Sequence, residues 1–117
     1  MMVGFTEGTT WRFEVVEHPD GYVVQSRDLM TSTLDGSEQR LFRTTVAALA
    51  FADLSAVLDK AAAARLDGDL APNLVAELDI RNSAFREVSE RLFDTGSEAD
   101  ILLAWQAHDE SEGRRLH

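Results

Sequence analysis

From Trp11 the chain alternates. Trp11, Phe13 and Val15 fall on one side, and Arg12, Glu14 and Val16 on the other, the period of two that marks a strand with one covered face. Tyr22, Val24 and Ser26 alternate in the same way with Val23, Gln25 and Arg27, so a second strand follows, with less decided faces. Between the two runs stands "EHPDGYVV", residues 17–24. Pro19 sets φ for an early turn position, Asp20 can bond its own backbone, and Gly21 accepts positive φ. Pro-Asp-Gly between two β runs therefore predicts a hairpin. His18 is read as an exposed strand-end residue rather than a base or a metal ligand. Residues 1–9 read as a frayed lead-in containing glycine and threonine. Beyond the hairpin, Leu29–Leu34 and Arg40–Thr44 flank an Asp35-Gly36 pair, which suggests a second hairpin and a meander of two to four strands in all.

At Thr44 or Thr45 the period lengthens to that of a helix, and either threonine can cap it. Val46, Ala50, Leu54, Val57, Leu58 and Ala61 make one stripe, with Phe51 at its flank and Asp53, Asp59 and Lys60 off it. Alanines at 61–64 raise helix propensity, and Gly68 stands where helices usually stop, so a helix over 45–66 is predicted. Pro72 fits a first helical position. Residues 74–80 alternate as a strand would, yet Leu74, Leu78, Phe85, Val88 and Leu92 also make a helical stripe. A helix from about 73 to 93 is favoured, with a break near Asn82-Ser83 and a stop at Thr95-Gly96. Ser97 followed by Asp100 resembles a capping box for a third helix carrying Ile101, Leu102, Trp105 and His108. The expected fold class is α+β. A small N-terminal antiparallel hairpin or meander packs against a long helix, and two further helices follow. The whole is one domain over 1–117, β-rich at 10–44, helical at 45–108, with a polar tail at 109–117.

Composition narrows the class. A length of 117 residues suits one domain. With 44% hydrophobic and 27% charged residues the chain is too apolar for a disordered one. Its apolar runs fall far short of the ~18 residues a membrane span needs. The start lacks the basic and apolar regions of a signal peptide. Cysteine is absent, which removes disulfides and thiolate nucleophiles and suits a reducing compartment; a cytoplasmic protein is expected. The net charge is −10. From Leu92 to Gly113 there is no Lys or Arg, against Asp94, Glu98, Asp100, Asp109, Glu110 and Glu112. Such a surface repels phosphate backbones, so direct nucleic-acid binding is disfavoured.

Little in the sequence resembles catalysis. His18, His108 and His117 lack the spacing that puts two metal ligands on one helical face. Asp67-Gly68-Asp69 begins like a calcium loop but lacks the later ligands, and reads as a helix stop. No Gly-x-Ser-x-Gly elbow and no phosphate loop is present. No catalytic, cofactor-binding or metal-binding residue is assigned, and a non-enzymatic role is expected. Trp11, Phe13 and Tyr22, close on the hairpin, read first as core or core edge, as does Trp105. The sharper reading makes Trp105 a buried anchor for a partner protein with a basic surface, rimmed by Glu98, Asp100, Asp109 and Glu110. Protein–protein interaction thus ranks first, with a homodimer left open. An acidic nucleic-acid mimic that inhibits a bacterial defence complex, of anti-CRISPR or anti-restriction type, ranks second. A small ligand binder or enzyme ranks third.

Overall fold

The computed structural model describes residues 1–68 and 70–96. Four strands, β1 (Met2–Glu7), β2 (Trp11–His18), β3 (Gly21–Asp28) and β4 (Leu34–Phe42), precede two helices, α1 (Thr45–Leu66) and α2 (Pro72–Leu92). The strands pair antiparallel in the order β1-β2-β3-β4, so the class is α+β. The expected third helix and polar tail lie outside the described residues.

The β2–β3 hairpin forms as the turn chemistry dictates, with His18 paired to Gly21 across Pro19 and Asp20. Gly21 has φ +147°, and a Cβ there would lie 2.1 Å from the carbonyl oxygen of Phe42. Only glycine lets β4 close against the turn.

Two expectations for the sheet need correction. Residues 2–7 are a strand, not a lead-in: Phe5 pairs with Glu14 and Thr6 with Phe13, and the Thr6 hydroxyl donates to Asp53 of α1 at 2.7 Å. Asp35-Gly36 is not a turn but runs inside β4. The real turn lies at 29–33, where the Asp28 carboxylate accepts from the backbone N–H of Met30 at 2.8 Å and of Thr31 at 3.2 Å. An aspartate that folds the chain over its own side chain needs no Asp-Gly pair.

Thr44 caps α1, its hydroxyl accepting from Ala47 N at 3.3 Å. The helix packs against all four strands and against α2, which makes it the middle layer. Its buried positions are mostly alanines: Ala47, Ala48 and Ala52 join Val15, Val24 and Phe42 in the main cluster. Small residues let the helix axis approach the sheet. The predicted stripe is therefore partly wrong. Leu54 and Val57 are buried, but Val46 and Leu58 are 54% and 48% exposed. α2 runs unbroken through Asn82-Ser83, so 74–80 is helix. Its Phe85 closes a ring cluster with Phe42 and Phe51, at centroid separations of 6.1 and 5.5 Å, within the range where aromatic pairs attract.

The end of α2 is tied to the start of α1. The Asp94 carboxylate accepts from Thr44 N and Thr44 Oγ1, both at 2.8 Å, and from Arg43 N at 3.0 Å. Asp94 is buried, so it is removed from the acidic surface expected between Leu92 and Gly113.

Candidate functional site

The helix-facing side of β2 carries Trp11 and Phe13, both half-buried. Opposite them α1 presents Phe51, Ser55, Leu58 and Asp59, and the six residues line a groove of about 370 Å³. That volume is at the small end for ligand sites. The Asp59 carboxylate accepts from Thr10 N and Trp11 N, each at 2.9 Å. It pins the start of β2 to the helix and fixes the Trp11 wall. Leu58 is the ridge between this groove and a second of about 280 Å³, lined by Leu54, Leu58, Leu78, Asp79 and Asn82 between the two helices. Arg40 lies over the Phe51 ring, 5.0 Å from its centroid. The groove suits an apolar or aromatic side chain: three aromatic rings and a leucine enclose it, with one hydroxyl as a polar handle.

The opposite face of the sheet holds a charged cluster. Glu14, 3% exposed, accepts from Arg12 Nε at 2.9 Å, Gln25 Nε2 at 2.9 Å and Arg27 Nε at 3.1 Å, with a further ion-paired contact from Arg12 Nη2. Burial alone would push the carboxyl up. The hydrogen bonds from Arg27, Gln25 and Arg12 outweigh it and hold the group below its ordinary value. The hairpin register places Arg12 opposite Arg27 and Glu14 opposite Gln25. Two like charges face to face are unfavourable, and the carboxylate that both arginines share offsets part of that repulsion. This cluster holds the hairpin together.

His18 is buried, 8% exposed, which corrects the expectation of an exposed strand end. Its Nδ1 accepts from Asp20 N at 3.1 Å, so the ring serves the turn. The partner-binding residues read from the sequence, Glu98, Asp100, Trp105, Asp109 and Glu110, all lie outside the described residues. Trp11, Phe13 and Tyr22 do come to one side of the sheet, packed against the core cluster or lining the groove. Sequence reasoning missed Glu14, Asp59 and Leu58 as site-shaping residues. The signal for Glu14 was present: the Pro19-Asp20 turn fixes the register that faces Arg12 with Arg27. Nothing in the sequence pointed Asp59 at the backbone of Thr10 and Trp11, a contact between residues far apart in the chain.

Among the described residues, no three His, Asp or Glu side chains converge as a metal-ligand set, and no helix is long and apolar enough to cross a membrane. Comparison with family models, with curated proteins and with solved structures finds no match.

Proposed function

We propose that the protein is a non-enzymatic interaction module that takes an apolar side chain of a partner protein into the groove between β2 and α1. The observation that carries this reading is Leu58, 48% exposed on the ridge between two grooves. A leucine there adds little to the fold and much to a contact surface. Aromatic walls such as Trp11 and Phe13 are the residue types that dominate interface energetics. The net charge of −10 favours a partner with a basic surface and speeds encounter with it. Glu98, Asp100, Asp109 and Glu110 contribute to that charge in this proposal. The acidic-mimic alternative rests on those same residues and draws nothing from the groove.

The test starts from a partner captured with the full chain. Leu58→Glu and Ser55→Trp place a charge on the ridge and a ring in the groove without emptying the core. Both variants should weaken binding at least tenfold while melting close to wild type. Raising ionic strength should slow association, because exposed charges are screened over about 8–10 Å. Binding unchanged in both variants would refute the groove as the contact site. If salt and acid reversal then abolish binding to a nucleic-acid-binding partner, the mimic reading replaces it.

A further inference from the structure

We propose that the partner element is a basic amphipathic helix that crosses α1 over Leu58. It drops one apolar side chain into the β2–α1 groove and a second into the groove between α1 and α2. This rests on the first groove being a contact site, and it gives the partner a shape and a charge.

Leu58 lines both grooves and stands 48% exposed between them. One groove opens toward β2, with Trp11 and Phe13 as its far wall. The other opens toward α2, with Leu78 and Asn82 as its far wall. The two therefore flank α1 on opposite sides, with one leucine side chain as a knob between them. A knob of this kind seats in a hole formed by four side chains of a facing helix. Side chains three or four residues apart on that helix stand about 5–6 Å from one another, close enough to straddle one leucine. An extended segment fits less well. β2 is paired on both sides, by β1 and by β3, and the other walls are helical, so no strand edge is offered there to its backbone. A helix brings its N–H and C=O groups already paired to each other.

The charge follows from the same two linings. Each groove carries one carboxylate, Asp59 in the first and Asp79 in the second, and no lysine or arginine among the described lining residues. Asp59 receives Thr10 N and Trp11 N on one oxygen, Oδ2. Those bonds hold the group in place before anything binds and leave Oδ1 for a further donor. Asp79 is exposed on α2. Val75, one turn before them on α2 and 48% exposed, extends the apolar surface beyond Leu78. A helix whose apolar stripe is bordered by lysine or arginine meets both carboxylates, and the net charge of −10 draws it in.

The probe is a synthetic amphipathic helix of leucine and lysine, about four turns long, carrying a fluorophore and titrated with the full chain. Saturable binding is expected, and a scrambled peptide of the same composition should bind roughly tenfold more weakly or worse. Ser55→Trp fills the first groove, and Asn82→Trp, at an exposed position, fills the second. Each variant should melt near wild type and weaken the probe by roughly tenfold or more. Asp79→Asn removes a charge from an exposed position, and should weaken the probe several-fold and flatten its salt dependence. Loss with only one of the two tryptophans would overturn the crossing helix; where that one is Ser55→Trp, the first groove still stands as the contact site. Binding unchanged by both would remove the first groove as well. Equal binding by the scrambled peptide, or by the helix with glutamate in place of lysine, would overturn the proposal, as would an unchanged affinity in Asp79→Asn. Absence of binding would overturn the helix and leave the first groove to the variants tested with the captured partner.

Discussion

Glu14 keeps its charge against burial because two arginines and a glutamine donate to it. Its carboxyl is held below the ordinary value of 4.5, so its contribution to stability is present above that pH and is lost as pH falls through the lower folded value. Glu14→Gln should cost about 1–3 kcal/mol at neutral pH. Melting curves of variant and wild type should converge as the solution is acidified below 4.5; a constant gap across that window would contradict the assignment. Phe93 is the opposite case, a residue the fold does not favour. It ends α2 in the left-handed region at φ 52° with its ring 85% exposed, where glycine is usual. Left-handed backbone costs a side-chain-bearing residue roughly 1–2 kcal/mol, and glycine loses part of that gain to chain entropy. Phe93→Gly should therefore be neutral or raise the melting temperature slightly, and clear destabilisation would show that the ring is packed. The end of this helix was legible to within a residue, since a helix over about 73 to 93 was expected and Pro72–Leu92 is observed. Its anchor was not legible, because Asp94 holds that end by binding Arg43 and Thr44, distant along the chain.

At the level of elements, local grammar was readable and partner choice was not. The hairpin followed from Pro19-Asp20-Gly21, and α1 followed from its period, its cap and its glycine stop. β1 did not, because a strand at the edge takes its identity from Thr6 and Phe5 pairing with β2 rather than from its own pattern. The face of α1 was misjudged because a hydrophobic stripe shows only that a helix packs, and this one packs on two sides with alanines against the sheet. Two substitutions separate the faces. Leu54→Ala, in a site 7% exposed, should cost about 2–4 kcal/mol. Leu58→Ala should cost less than about 1 kcal/mol, as expected for a half-exposed position outside the core. Equal losses in thermal melting would return Leu58 to the core and remove it from the groove. Gly21→Ala forces a Cβ onto the Phe42 carbonyl and an unfavourable φ together, and should cost roughly 3 kcal/mol. A wild-type melting temperature in that variant would mean that β4 does not close against the turn.

Over the described residues, the molecule is a sheet, a middle helix and an outer helix, with a groove left where α1 does not fill the space above Trp11 and Phe13. The aromatic pattern showed that these side chains share a face, but the gap beside them depends on how small the packing residues of α1 are. The acidic residues from Glu98 to Glu110 belong to the proposed encounter with a basic partner, and the groove to the contact that follows. Chemical-shift mapping of the isotope-labelled full chain against its captured partner tests this most directly. The account predicts that the largest changes fall on the Trp11 indole N–H and on the amides of Phe13, Ser55 and Leu58, with Glu14, Gln25 and Arg27 on the other face of the sheet unmoved. Changes concentrated on the Glu14 face, or on the exposed side of α2 around Ser83, would contradict it.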